Sequence, residues 1–442
     1  VTILSGGTYE PFGPLTGFNF GNGVTLAQGY DQDYELSSIN AAAGGTAIQN
    51  LVYGYDPSGN ILSITDNLNA SLTQGFQYEN LNRLWTASGP YGSQTYTYDG
   101  VGNRATVTLA GVTYTYTPSM TSNQIVSISG GGNTRSFTYF ASGQTKTDQR
   151  TPTSKYSYTA DGVGRLSGAS LNNSSIASYT HNGFEQRVVK TVGSTVTDLI
   201  YDRAGHLLAE ANHATGAMIR EWMDDKPVAM VDDTGASPAI YYIHTDQVNR
   251  PQKLTDVSDN IVWDGVFDPF GNVWSIAGSE TMLLMFPGQY YDSETQLSQN
   301  WHRDYDPTIG RYVQSDPIGL WGGINTYAYV GNNPLRYLDP NGMAAEKPDC
   351  SKKDDCIERC SDLALPTSDY GTAFFRCMQT CMGTNPWPEW TKYFPDADSE
   401  PAPAPGQSNS QNAAAAAVGA AAGVAVSWAT IEIIAAGLAL AF

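Results

Sequence analysis

Tyr55-Asp56-Pro57-Ser58-Gly59-Asn60-Ile61-Leu62-Ser63-Ile64-Thr65 decides the fold, because the chain keeps returning to it. It recurs as Tyr78-Glu79-Asn80-Leu81-Asn82-Arg83-Leu84-Trp85-Thr86 and as Tyr98-Asp99-Gly100-Val101-Gly102-Asn103-Arg104. Later copies are Tyr158-Thr159-Ala160-Asp161-Gly162-Val163-Gly164-Arg165-Leu166 and Tyr201-Asp202-Arg203-Ala204-Gly205-His206-Leu207-Leu208. A period of roughly 20 residues marks a repeat architecture. Each copy reads as strand, tight turn, strand, with Asp/Asn-x-x-Gly supplying the residue that takes positive φ.

Between the turns, Gln94-Thr95-Tyr96-Thr97-Tyr98 and Val112-Thr113-Tyr114-Thr115-Tyr116 alternate strictly, which places Tyr on one face of a sheet and Thr on the other. No helix-length amphipathic pattern precedes residue 343. The reading is all-β: antiparallel hairpins stacked into a long curved or shell-like sheet, followed by a small α-helical tail. At this period, 343 residues allow about 17 hairpins at most. That is short for a sealed container, so further N-terminal sequence or a partner is expected.

Of 442 residues, 43 are acidic and 23 basic, giving a net charge of −20. Nucleic acid is therefore not expected as the main partner, since phosphate binding needs a basic footprint. Positions 1–30 contain no basic stretch followed by an apolar run, so no signal peptide is read there. The five His (181, 206, 213, 244, 302) show no metal-ligand spacing, and His244 and His302 read as packed or hydrogen-bonded. No Walker loop, GxSxG or dinucleotide fingerprint occurs, so neither cofactor nor metal is expected.

Two further Asp-Pro-x-Gly turns, Asp316-Pro317-Ile318-Gly319 and Asp339-Pro340-Asn341-Gly342, stand at the end of the Tyr- and Gly-rich region. Taken alone they are good turns: Asp accepts a backbone N–H, Pro presets φ, and Gly takes the left-handed position. The same tetrapeptide occurs at Asp56 and Asp268. Position distinguishes the last two copies. The 23 residues between Asp316 and Asp339 leave room for strand, the Gly322-Gly323 loop and strand, so the turns can be brought together.

These residues resemble a known family. The Tyr-Asp copies are similar to the YD repeats of Rhs proteins, toxin-complex C components and teneurins. Ile243-His244-Thr245-Asp246, Arg250-Pro251-Gln252-Lys253-Leu254-Thr255-Asp256, Phe267-Asp268-Pro269-Phe270-Gly271-Asn272 and Tyr305-Asp306-Pro307-Thr308-Ile309-Gly310-Arg311-Tyr312 resemble the Rhs repeat-associated core, as does Arg311–Met343. The resemblance implies a hollow β shell enclosing a variable C-terminal polypeptide. It also implies an aspartyl autoprotease that acts only on its own chain, with Asp316 and Asp339 as the catalytic pair. The implied cut is Met343–Ala344, with Met343 standing where relatives usually carry Leu. Arg311 fits the Arg of the core pattern and is expected either to hold one carboxylate ionised or to form an ordinary strand-end salt bridge.

The tail begins after Met343, and all five Cys lie in it. Cys356 with Cys360, and Cys377 with Cys381, are i, i+4 pairs, each on one face of a helix. They are read as a helical hairpin clamped by disulfides, with a four-Cys zinc site or free thiols as alternatives. Residues 399–412 form a Pro/Ser/Asn linker. Residues 413–442 are almost wholly apolar and as a helix would span about 45 Å, against a hydrocarbon core of about 30 Å. That run is a candidate transmembrane segment, the alternative being a helix held against the inner wall.

The expected organisation is a YD-repeat array at 1–239, a core at 240–343, a Cys-containing hairpin at 344–398, the linker, and the apolar helix. The expected function is a secreted or cell-surface bacterial toxin scaffold that releases its own tail as cargo in interbacterial competition. An immunity protein and a secretion apparatus are implied by the resemblance. The alternatives are a non-cleaving surface protein that binds glycans or cells, and a toxin-complex C-like shell component.

Overall fold

Asp56 shows why a repeat opens on Tyr-Asp. Its Oδ1 accepts the N–H groups of Ser58 at 2.8 Å and Asn60 at 2.9 Å, and its Oδ2 accepts the Asn60 side-chain amide at 2.8 Å. The turn is thereby closed from inside, and Gly59 takes φ 77°. Asp99, Asp161 and Asp246 repeat the pattern on residues two and four ahead. The preceding Tyr has a different task. Tyr55, Tyr78, Tyr98 and Tyr139 donate their hydroxyls to the carbonyls of Leu36, Ile61, Leu84 and Ile125, at 2.7–2.9 Å. Each acceptor opens the strand after the previous turn of the same rim. Asp therefore builds its own turn, and Tyr ties that turn to the one before.

The computed structural model describes residues 2–11, 13–212 and 214–345. From Leu4–Tyr9 to Val273–Gly278 every strand pairs antiparallel with the next, giving one sheet of 26 strands. One face is apolar: Tyr96, Val107, Tyr116, Ile128 and Phe137, on successive strands, are all buried. The other face carries Thr pairs such as Thr97–Thr106 and Thr138–Thr147, each at 2.7 Å.

The sheet curls back on itself. Phe20 meets the rings of Tyr242 and His244 at 5.8 and 4.8 Å, and Asn22 donates to the Asp256 carbonyl at 2.9 Å. Ala239–Thr245 pairs on both sides, so the sheet runs through residue 240 without a break. His244 is fully packed, with Nε2 2.9 Å from the Thr255 hydroxyl, and burial pushes its pKa down to about 3.

A second sheet of four short strands follows: Gln289–Asp292, Leu297–Asn300, Arg303–Asp306 and Arg311–Tyr312. The segment from Asp292 to Arg336 lies across the turns of the repeats. Asn333 donates to Asn60 and to the Asn82 carbonyl, Asn325 to Asn103, and Tyr327 to the Gly143 carbonyl. Further along, Trp301 donates to the Phe184 carbonyl, while Arg150, beside a hairpin of the opposite rim, donates to the Thr295 carbonyl. One strip of chain thus reads successive turns of a single rim.

The expected disulfide partners Cys356, Cys360, Cys377 and Cys381 lie outside the described residues, as do the linker and the apolar run 413–442. Among the described residues, no helix is long and apolar enough to cross a membrane.

Candidate active site

Arg303 is the hub of the site. Its Nη1 lies 2.9 Å from Asp316 Oδ2 and its Nη2 3.0 Å from Asp339 Oδ2, so one guanidinium bridges both carboxylates. Its Nε donates to the Gly342 carbonyl, and Tyr312 stacks against it at 3.6 Å. All of these side chains are buried. A planar fork with fixed donors suits such a double engagement better than a point charge would.

The two carboxylates have different surroundings. Asp339 Oδ2 also accepts the Tyr312 hydroxyl at 2.7 Å, while its Oδ1 accepts the N–H groups of Met343 at 2.9 Å and Ala344 at 3.2 Å. Asp316 has Arg303 and only one backbone donor, Ile318, at 3.0 Å. Burial pushes the Asp316 pKa up to about 6, against the pull of Arg303. Burial also raises Asp339, opposed by Arg303, Tyr312 and the two backbone donors. Donors to the ionised form favour it, so Asp339 is the better carboxylate and Asp316 the better acid.

The bond between Met343 and Ala344 lies beside them. Its N–H faces Asp339. Its carbonyl oxygen and Asp316 both border Gly322: a Cβ there would lie 2.7 Å from Met343 O and 2.3 Å from Asp316 Oδ2. Gly322 therefore leaves open the gap that acid and carbonyl share. The second turn is anchored independently. Asn300 donates to the Asp339 carbonyl at 2.8 Å, and His302 Nδ1 lies 2.8 Å from the Asn341 carbonyl, so that nitrogen carries the proton. A cavity of about 260 Å³, bordered by Leu81, Val101, Ile324 and Val330, opens onto Met343, Ala344 and Ala345.

The structure brings Asp316, Asp339, Met343 and Ala344 together, and it does so without the strand-loop-strand expected between the turns. Two 3₁₀ turns, Gly319–Gly322 and Val330–Asn332, fold the connection instead. Arg311 is elsewhere. Its guanidinium donates to the Asn123 carbonyl and lies 5.0 Å from the Tyr327 ring, so among the described residues it pairs with neither aspartate. Strand parity is the reason. Tyr305 pairs with Tyr312 and Asp306 with Arg311, so Arg303 and Tyr312 project from one face and Arg311 from the other. Sequence reasoning missed Arg303, Tyr312 and Gly322. The signal available in the sequence was the dense charge of Arg303-Asp304-Tyr305-Asp306; that every residue of this strand is buried is visible only in the structure. The four cysteines named as disulfide candidates, Cys356, Cys360, Cys377 and Cys381, fall beyond the last described residue and take no part in this site.

Comparison with known proteins agrees with this architecture. The family model described as "Teneurin YD-shell" matches residues 19–335. A 147-residue stretch is 36% identical to double-stranded DNA deaminase toxin A of Burkholderia cenocepacia, covering 32% of this chain and 9% of that protein. Another, of 177 residues, is 32% identical to the probable deoxyribonuclease RhsA of Dickeya dadantii, covering 38% of this chain and 12% of that one. The chain thus spans a small part of these relatives' length. Among solved structures, the Tc holotoxin pore of Photorhabdus luminescens superposes with a TM-score of 0.63 at 19% identity, over 78% of this chain and 19% of that one; this likeness is one of fold. With most of its length matched, its turns built by Tyr-Asp and its sheet continuous, the chain belongs to the YD-shell family, as an Rhs-type member.

Proposed function

We propose that the chain is the wall and releasing device of an Rhs-type toxin, which hydrolyses its own Met343–Ala344 bond and frees the C-terminal polypeptide as cargo in competition between bacteria. One observation carries this reading: the bond lies beside two buried carboxylates, its N–H on Asp339 and its oxygen bordering, with Asp316, the same gap at Gly322. Water attacks the Met343 carbonyl carbon and gives a proton to Asp339, while the Asp316 carboxyl donates to the carbonyl oxygen. The tetrahedral intermediate then breaks its C–N bond. The proton held by Asp339 passes to the Ala344 nitrogen, and Asp316 recovers its own. Arg303 holds the carboxylates in place and balances the charge left on the pair. Intact-mass measurement of the purified chain tests the reading directly. Two fragments meeting at Met343 and Ala344 are expected, and a full-length mass that persists through incubation at pH 5–6 would sink it.

The acid role of Asp316 fixes the pH dependence. With a pKa of about 6, its proton-bearing form is abundant below pH 6 and falls about tenfold for each further unit above it. Chain refolded from denaturant at graded pH and sampled over time is expected to cut faster at pH 6 than at pH 8. A rate that climbs steadily toward pH 8 contradicts the assignment.

Gly322→Ala separates geometry from chemistry. The Gly322 backbone lies outside the left-handed region, but a methyl there would come within 2.3 Å of Asp316 Oδ2 and 2.7 Å of the Met343 carbonyl oxygen, so both must shift. A displacement of about 1 Å at a reacting pair costs on the order of 10²-fold in rate. The variant is expected to show a denaturation midpoint lowered by an overpacking cost of about 1–3 kcal/mol and, in the folded chain, a cutting rate slowed on that scale.

A further inference from the structure

Nearly every buried arginine here faces a carboxylate. Arg135 pairs with Asp148, Arg187 with Asp304, Arg220 with Glu210, Arg250 with Asp246, and Arg303 with both site aspartates. Arg104 and Arg311 depart from the rule in that neither makes an ion pair among the described residues, although the buried Asp268 carboxylate feels the charge of Arg104 at longer range. Arg104 is 7% exposed, donates Nη1 to the Ile309 carbonyl at 2.6 Å and lies 3.9 Å from the Phe270 ring, yet its Nε and Nη2 have no partner. Arg311, equally buried, has the Asn123 carbonyl and the Tyr327 ring.

Both line one small cavity, together with Tyr116, Asn103, Asn325 and Asn332, and neither Asp nor Glu borders it. The cavity measures about 10 Å³, the room one water molecule or one monatomic ion needs. A guanidinium does not shed its proton in a protein, so burial cannot relieve these two by neutralising them. Two persistent positive charges therefore border one small, acid-free and partly open space.

We propose that this cavity is a binding site for a single small monovalent anion of chloride size, held by Arg104 and Arg311. Sulfate and phosphate are too large for it. The ion would join the repeat turn at Gly102–Arg104 to the strip at Ile309–Arg311 and Asn325–Asn332, which meet around the cavity. It would thereby fasten the segment carrying the aspartates to the wall.

The test compares the full chain in sodium chloride and in sodium gluconate at equal ionic strength, followed by denaturant unfolding. The gluconate anion cannot enter, so chloride is expected to raise the midpoint. Above the dissociation constant, each tenfold rise in chloride shifts the folding equilibrium tenfold. In Arg104→Met this dependence is expected to vanish. Identical wild-type midpoints in the two salts, or an undiminished chloride effect in the variant, overturn the proposal. Should the variant not fold, bromide-soaked crystals of the wild type decide the matter by anomalous scattering. A peak between Arg104 and Arg311 supports the site, and its absence refutes it.

Discussion

Asp339→Asn is expected to leave the chain uncut, a single full-length band on a denaturing gel where the parent gives two. The substitution keeps the shape of the side chain and much of its contact with Arg303 and Tyr312, whose donors lie 3.0 and 2.7 Å from Oδ2. It removes the group that must accept a proton from water and return it to the Ala344 nitrogen. Loss of a general base or acid typically costs about 10²–10⁴-fold. Asp316→Asn is expected to have an effect of the same order for the complementary reason, since an amide cannot protonate the Met343 carbonyl. Neither change opens a cavity, but each takes a charge from the buried cluster around Arg303, so a lowered denaturation midpoint is expected as well and cutting is scored on chain shown to be folded. Normal cutting in both variants would falsify the assignment of Asp316 and Asp339 as the protease pair, whereas an intact parent chain would favour a surface protein that never cleaves.

Arg187→Met is expected to cost the fold about 3–5 kcal/mol, the range for removing one member of a buried ionic cluster. Arg187 is fully buried. It donates to Asp292, lies 2.8 Å from Asp304, and stacks 4.0 Å from the Tyr179 ring. Asp292 would keep Lys190 at 2.8 Å, but Asp304 would retain only the Gln314 amide. The sign of the pH effect follows. Burial already pushes the Asp304 pKa up to about 6, above that of an unfolded Asp, so the folded state holds the extra proton. Stability from this group therefore falls as pH rises through that window, and the penalty is complete above about 6. Without Arg187 the loss is expected to be deepest at neutral pH and partly relieved below pH 6. Urea titration at pH 5 and pH 8 checks both magnitude and sign, and adding Asp304→Asn is expected to recover part of the loss. A pH-independent loss contradicts the electrostatic account.

The array was legible in the sequence because its information is local. Asp56, Asp99 and Asp161 bond residues two and four ahead, and the alternation of Tyr96 with Thr97 states the two faces directly. That Asp316 and Asp339 could come together was legible from their place at the end of the array, while the Met343–Ala344 bond entered only through the family resemblance. Arg303 was not, because its partners lie in two separate turns and its face depends on the pairing of Tyr305 with Tyr312. Proximity in sequence pointed to Arg311, and one residue of strand parity placed it on the wrong side. Arg187 was hidden for a related reason: its partners come from the second sheet, more than a hundred residues later.

The strip that reads successive repeat turns makes the two rims unequal as places for sequence to grow. On the rim it touches, added atoms collide where the strip passes: a Cβ at Gly59 would strike Glu35 and Arg336, and one at Gly143 would crowd Ser315 and Tyr327, whereas Gly100 and Gly162 in the same rim face open space. On the opposite rim, at Gly44, Gly45, Gly111 and Gly132, a Cβ would meet nothing within 4 Å. Inserted loops, tags or grafted epitopes therefore belong at the hairpins of the second rim. A single hairpin added or lost along the first would throw every later turn out of step with Asn325, Tyr327 and Asn333. Length can drift on one side of this sheet, while the other is held to a fixed count.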